Sequence, residues 1–236
     1  MTSPFGNTQG YVASSAEAAR IAGFLQRVYG WMFAGLAITA IVAMGVASSP
    51  ALLNIIFGTA VARWGLILVT LGMVWYMSAR VSEMAPNTAA LLFAGYSVLM
   101  GAMLSSIFLV YTGGSIATTF LTASAMFGAL ALYGTVTRRS LAGVGQFAFM
   151  GLIGVVIASI VGIFWQNSMF QFVLSICGVV VFTGLTAWDA QRLKAMALAL
   201  PDGQTGSYAI VGALSLYLDF INLFLFLLRL FGGRRN

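Results

Sequence analysis

A single carboxylate interrupts the most apolar stretch near the C-terminus of this 236-residue chain. Asp219 lies in the middle of SLYLDFINLFLFLLRLFG, residues 215–232, and the whole sequence holds only five acidic residues. A charged side chain at bilayer depth costs roughly 2.5–3.5 kcal/mol on insertion scales, so it marks a functional site by default. The competing interpretation is a structural hydrogen bond from Asp219 to the backbone of a neighbouring helix.

A second carboxylate, Asp189, lies in GLTAWDAQRLK, residues 184–194, near the end of the preceding apolar run. It is either a helix-end residue paired with Arg192 or Lys194 in water, or the partner of Asp219 from an adjacent antiparallel helix. Two carboxylates in a low-dielectric site cannot both ionise cheaply, so such a pair shares one proton. Because the sequence has no histidine, the usual titrating group near neutral pH, this pair is the candidate pH switch.

Loss of the shared proton adds negative charge to the pair. That charge attracts an oxygen-seeking cation such as calcium, or opens a hydrogen-bonded latch between the two helices. Asp189 and Asp219 are therefore candidate calcium contacts, with calcium as a transported ion and no cofactor expected. Ser215 and Asn222 lie one turn to either side of Asp219, where they line a polar path or serve only as interhelical hydrogen-bond partners.

Composition places these residues in a membrane. The chain is 61% apolar and 7% charged, and its mean hydropathy is +0.99; about a quarter charged is usual for soluble domains. We expect an all-α integral membrane protein with the lipid bilayer as its first partner. Seven apolar runs are long enough to span the hydrocarbon: 28–48, 52–78, 88–111, 115–136, 142–165, 169–190 and 208–230.

The first residues differ in composition from the rest. Residues 1–24 are rich in small and polar side chains and contain no apolar segment typical of a signal peptide. We predict a disordered N-terminal tail over 1–24 and a seven-helix transmembrane domain over 25–232.

Basic residues flank alternate ends of the apolar runs, which predicts a cytoplasmic N-terminus. The residues on that side are Arg20, Arg27, Arg80, Arg138, Arg139, Arg192 and Lys194. The net charge of +6 is then explained by topology and attraction to anionic lipids, and no nucleic-acid partner is expected. Arg234 and Arg235 oppose the rule: either the last segment spans fully and leaves them outside, or it re-enters. The uninterrupted apolar run 208–230 favours a full span.

Two motifs give the chain a family resemblance. The segment 215–232 is similar to the C-terminal signature of the transmembrane Bax inhibitor motif (Bax inhibitor-1) family, and WDAQRLK at 188–194 resembles an element of its sixth helix. Looser similarity covers VYGWMFAGLAITA at 28–40, GAMLSSIFLVYT at 101–112 and FGALALYGTVTRRSLAGVGQF at 127–147. Departures from the family are Ser140, where many relatives have an acidic residue, and the longer connection 191–207.

The resemblance implies a seven-helix fold with the C-terminal helix at its centre. It also implies a bacterial inner-membrane protein acting as a pH-sensitive calcium leak, in which Asp189 and Asp219 are the proton-sharing pair. An arginine of the second span lies near the pair in the family, and here it is Arg80 or Arg63.

Two other function classes remain to compare with the leak. Some bacterial relatives are thought to regulate a membrane protease or a stress response by protein contact, which would make a membrane protease the partner. An intramembrane enzyme is not expected, because the chain has no histidine and lacks the YD and GxGD motifs of aspartyl intramembrane proteases.

Overall fold

Long apolar helices joined by short turns make up the described chain. The computed structural model describes residues 6–165, 167–201 and 204–235, with side chains from residue 15 onward. Within these ranges there is no strand, only one isolated bridge between Tyr111 and Arg234. The helices are α1 (Gly6–Ala47), α2 (Pro50–Phe57), α3 (Ala60–Ala79), α4 (Pro86–Leu104), α5 (Ile107–Val110), α6 (Gly113–Val136), α7 (Ala142–Phe164), α8 (Ser168–Ala199) and α9 (Thr205–Phe231).

Seven segments of the described residues are long and apolar enough to cross a membrane, which confirms the predicted number. Helices α4 and α5 together form one of these segments, and the other six are α1, α3, α6, α7, α8 and α9. The second run, predicted as one helix over 52–78, is divided at Gly58. The backbone of Thr59 is extended there, and its hydroxyl accepts a hydrogen bond from the Ala62 amide at 3.1 Å, so α3 starts as a separate capped helix.

The N-terminal segment differs from the predicted disordered tail over 1–24. Residues 1–5 lie outside the described residues, and α1 begins at Gly6. Alanine is the strongest helix former, and ASSAEAAR at 13–20 is rich in it. Further along α1, Phe24 and Leu25 are buried in the core. The boundary predicted at residue 25 therefore falls inside a continuous helix.

The C-terminal helix is the centre of the bundle, as the resemblance implied. In the most apolar part of α9, 72% of residues are buried, against 11–39% for the other spans. Helix α9 packs against α1, α3, α4, α6 and α8. A carboxylate on α9 is therefore held inside protein, whereas most side chains of the other spans are not fully buried.

Glycines of α6 and α7 bring these two helices against the end of α8 that carries WDAQRLK. A Cβ added at Gly134 of α6 would overlap the carbonyl oxygen of Ala187, and one at Gly145 of α7 would overlap the ring of Trp188. Close approach of backbones through small residues is the usual way for membrane helices to associate. The segment around Asp189 is thus held rigidly by its neighbours.

We expect Gly134→Ala to destabilise the protein by about 1–3 kcal/mol, the usual cost of overpacking a filled core. The added methyl meets backbone, which cannot rotate away. Gly128→Ala is the matched control on the same helix, because nothing lies within 4 Å of its Cβ position. The free energy of unfolding in detergent micelles measures both, and equal stability of the two variants would contradict the close α6–α8 contact.

Candidate functional site

Two contacts set the antiparallel register of α8 against α9. A Cβ added at Gly178 would lie 2.6 Å from the ring of Phe226, and one at Gly212 would lie 2.5 Å from the side chain of Leu193. These contacts lie at opposite ends of the α8–α9 interface. Counting residues along both helices from these two contacts then shows which residues of α8 and α9 face each other.

That register brings the two aspartates to one interface. Asp219 faces residues 185–186 of α8, and Asp189 faces residues 215–216 of α9, so Asp219 lies about one turn, ~5 Å, further from the α8–α9 connection. Their charges are close enough to interact. Among the described residues no hydrogen bond joins the two carboxyl groups.

Asp219 is buried without a partner for one of its oxygens. Its side chain is 5% exposed, and Oδ2 has no hydrogen bond to any part of the chain that the structure describes. A structural role for Asp219 would need a hydrogen bond to a neighbouring helix, and at Oδ2 there is none within that part. A buried polar group left unpaired costs about 1–3 kcal/mol, and more if it is charged. This position is therefore suited to a proton or a cation.

Asp189 lines a cavity of about 250 Å³ between α3, α8 and α9. The polar groups of that cavity are Ser78, Asp189, Arg192, Tyr208 and Ser215. The side chain of Asp189 is 13% exposed, and Arg192 Nη1 lies 3.9 Å from its Oδ1. The Arg192 guanidinium also lies over the ring of Trp188, 5.6 Å from the centroid. Arg192 thus stands between Asp189 and water.

The arginines of the second span are not at the pair. Arg80 ends α3 and binds the carboxylate of Glu83, and both side chains are largely exposed. This hydrogen bond and charge contact raise the pKa of Arg80 above its ordinary value. Arg63 lies in the first turn of α3, at the other end of that helix, where its Nη1 donates to the Phe57 carbonyl at 3.4 Å. Arg192, considered from the sequence only as a helix-end partner, is the arginine beside Asp189.

The two polar neighbours of Asp219 have different surroundings. Ser215 lines the cavity together with Asp189, and its hydroxyl makes only a long contact of 3.5 Å to the Val211 carbonyl. Asn222 is half-buried, and its amide donates to the Leu218 carbonyl of its own helix at 2.8 Å. Ser215 therefore faces the cavity one turn from Asp219, whereas the Asn222 amide is bonded within α9.

Gln191 is a residue of the site that the sequence did not single out. Its Oε1 accepts from the Leu141 amide at 2.7 Å, and its Nε2 donates to the Arg139 carbonyl at 2.9 Å. Lys194 donates to the Thr135 carbonyl at 2.8 Å. These side chains of WDAQRLK bind the α6–α7 turn while Asp189 faces the cavity. In the sequence, this role was indicated only by the spacing of Gln191 and Lys194, which places them on the face of α8 opposite Asp189.

A hydroxyl network fixes the other side of α9. The hydroxyls of Thr39 and Tyr217 lie 2.6 Å apart, and Thr39 donates to the Ser97 carbonyl at 3.0 Å. Tyr217 also packs edge-on against the rings of Phe93 and Tyr96. Because Tyr217 precedes Asp219 by two residues, this network holds the carboxylate on the α8 side of the helix.

The site can hold a cation only with much help from water. The described residues contain no group of three or more histidine, cysteine, aspartate or glutamate side chains. Calcium takes six to eight oxygen ligands, so Asp189, Asp219 and Ser215 would leave most positions to water. Such a set suits an ion in passage better than a tightly held one.

Comparisons with known proteins agree over nearly the whole chain. A family model described as "Inhibitor of apoptosis-promoting Bax1" matches residues 21–236. The inner membrane protein YbhL of Escherichia coli K12 is 46% identical over 215 residues, 90% of this chain and 92% of YbhL. A protein of Borreliella burgdorferi is 43% identical (90% and 93% covered), and RP147 of Rickettsia prowazekii is 41% identical (90% of each).

We expect Asp219→Leu to raise the free energy of unfolding by about 1–3 kcal/mol, because it removes a buried carboxyl oxygen that has no partner in the described structure. Asp189→Leu is the control: Asp189 lines the cavity beside Arg192, so no comparable gain follows. Denaturation in micelles measures both. A loss of stability in Asp219→Leu would favour a structural role for the carboxylate.

Proposed function

The chain belongs to the Bax inhibitor-1 family of multi-pass membrane proteins, and from this membership we propose that it is a pH-sensitive cation leak, with calcium the first ion to test. The single observation that supports the proposal most is Asp219, which is buried in the central helix with Oδ2 unpartnered in the described structure. One turn away, Ser215 lines the cavity that holds Asp189. A polar approach thus leads toward a carboxylate that lacks a partner.

Protonation of the pair controls the leak in this proposal. At low pH the proton shared by Asp189 and Asp219 limits the pair to at most one negative charge, and α8 stays packed on α9. Loss of that proton leaves two negative charges on facing helices, which repel each other in the low-dielectric interior. A cation entering the cavity relieves the repulsion, and so does separation of α8 from α9. Cation flux therefore rises with pH.

Arg192 competes with the cation for Asp189. Its guanidinium lies 3.9 Å from the carboxylate and over the ring of Trp188, so it has a second place to rest when a cation arrives. Because the side chain is 55% exposed, salt screens its charge and its effect on affinity is modest. The arginine then tunes the pH range of the leak.

The cavity opens on the side that carries most of the basic residues. Arg80, Arg139 and Arg192 lie at the ends of α3, α6 and α8 that meet there. Under the positive-inside rule this end is cytoplasmic, so the pair responds to cytoplasmic pH. The N-terminus is then cytoplasmic, and the protein lies in the bacterial inner membrane, as the name of its Escherichia coli relative states for that protein.

The test is calcium entry into dye-loaded proteoliposomes from about pH 6 to pH 8, the range in which the pair is proposed to change charge. Native protein is expected to give flux that rises with pH. Asp219→Asn and Asp189→Asn each leave one carboxyl group, so no proton is shared and the steep pH dependence is lost.

Absence of native flux above empty liposomes at every pH would refute the leak. Regulation of a membrane protease by protein contact would then be the better account, and both amide variants should keep that activity in cells. Asp202 lies outside the described residues, and Asp202→Asn is a control substitution that should behave as native protein.

A second prediction separates the two arginines. Arg192→Gln removes the cation that stabilises the ionised form of Asp189, so we expect the rise in calcium flux to move to higher pH. Arg80→Gln is expected to leave the profile unchanged, because Arg80 binds Glu83. The same flux assay reads both variants. A displaced profile in Arg80→Gln with a native profile in Arg192→Gln would assign the role to the arginine that the resemblance implied.

A further inference from the structure

Cavities lie at both ends of α9, on different faces of the helix. The first is the cavity of about 250 Å³ described above, which is lined by Asp189 and Ser215. The second, of about 400 Å³, lies between α6 and the last turns of α9. Its hydroxyl-bearing lining residues are Ser115, Thr118, Thr119 and Thr122. The two cavities share no lining residue, so the middle of α9 separates them.

The spacing of residues along α9 defines two faces. The face toward the first cavity carries Tyr208, Gly212, Ser215 and Asp219. The face toward the second cavity carries Phe220, Phe224, Leu227 and Phe231. Both sets recur at i, i+4, i+7 and i+11, the period of one helix side. The two faces meet where Asp219 adjoins Phe220, so a route between the cavities has to pass these two residues.

Four aromatic rings close that route. We call Phe120 and Phe127 of α6 and Phe220 and Phe224 of α9 the aromatic cluster. Phe220 packs edge-on against Phe120 and Phe127 with centroids 5.4 and 5.6 Å apart, and Phe120 lies 6.1 Å from Phe224. Edge-to-face packing at these distances is the stable arrangement for aromatic pairs. The cluster packs in the α6–α9 contact, at a helix level between Asp219 and the hydroxyl-lined cavity.

We propose that the aromatic cluster is the closed gate of the ion path and that the hydroxyl-lined cavity is its second vestibule, which takes a hydrated cation. The proposal rests on the leak function given above. Hydrophobic constrictions block ions by excluding water, because a cation that loses its hydration shell finds no replacement oxygens there. Beyond the cluster, the four hydroxyl groups are able to contact the hydration shell again.

Phe120 is the ring that is free to move. Its side chain is 41% exposed, whereas Phe220 is 2% exposed and Phe224 is 4% exposed. Phe120 can turn toward the membrane without displacing other core side chains. Because it contacts both rings of α9, its departure uncovers Phe220 and Phe224 together. Rotation of Phe120 is the first step of opening in this proposal, and the contact of Phe127 with Phe220 has to part as well.

Thiol modification tests the gate without any need for ion flux. In a Cys177→Ser background, Thr119→Cys places a thiol in the second cavity and Asp219→Cys places one behind the cluster. A membrane-impermeant cationic thiol reagent is added to one face of sealed vesicles at a time. Modification of Thr119→Cys identifies the face to which the second cavity opens.

From that face, Asp219→Cys is expected to react at least ten times more slowly than Thr119→Cys while the cluster is intact. Adding Phe120→Ala, the change least damaging to the core, is expected to bring Asp219→Cys to a rate near that of Thr119→Cys. Equal rates with the cluster intact would overturn the gate, and so would an Asp219→Cys rate that Phe120→Ala leaves unchanged. Failure of Thr119→Cys to react from either face would refute the vestibule.

Calcium flux then links the gate to the leak. Phe120→Ala and Phe220→Ala are expected to raise flux several-fold at low pH, where the native protein is closed, while Phe220→Leu stays closer to native. Phe93→Ala is the matched control: it removes a buried ring that packs edge-on against Tyr217 on another side of α9. Increased flux in Phe93→Ala equal to that in Phe120→Ala would overturn the assignment. Opening seen by thiol modification, with no flux in any variant, would leave the gate standing and refute the leak.

Discussion

The structure depends on one unfavourable feature, a carboxylate buried in the central helix without a full set of partners. Asp219 Oδ2 lies inside protein with no hydrogen bond from the described residues. The surrounding helices have to hold α9 in place despite this cost, and most of its apolar part is buried by five neighbours. A leucine at that position would pack without this cost, so the carboxylate is a functional-site hypothesis by default.

The packing around α8 and α9 shows how the carboxylate is kept in position. Glycines let α6, α7 and α9 approach α8 closely, and Gln191 binds the α6–α7 turn from the opposite face. On the far side of α9, the hydroxyls of Thr39 and Tyr217 fix its rotation. The aspartates therefore meet across a rigid interface, and a change in their charge acts directly on the α8–α9 contact.

The sequence predicted the seven spans, because a long apolar run is a local signal. It also singled out both aspartates as candidate site residues, because a lone charge within such a run is a local signal too. It did not predict the break at Gly58, which depends on capping by Thr59, and it assigned residues 6–24 to a tail although they are helical. The sequence named Arg192 only as a helix-end partner of Asp189, and the resemblance implied Arg80 or Arg63 near the pair instead. Arg80 and Arg192 lie at the same end of the bundle, and only the contact of Arg80 with Glu83 separates their roles. The aromatic cluster could not be predicted, because it depends on how α6 is oriented against α9, and residue spacing alone does not determine that orientation.

The most direct test of the account is infrared difference spectroscopy of the Asp219 carboxyl group in lipid bilayers. The C=O band of protonated Asp219 is assigned by its loss in Asp219→Asn and then followed from about pH 6 to pH 8. We predict that the band disappears as pH rises, and that added calcium removes it at a lower pH. A band that stays constant over this range, with or without calcium, would contradict a carboxylate that exchanges its proton for a cation.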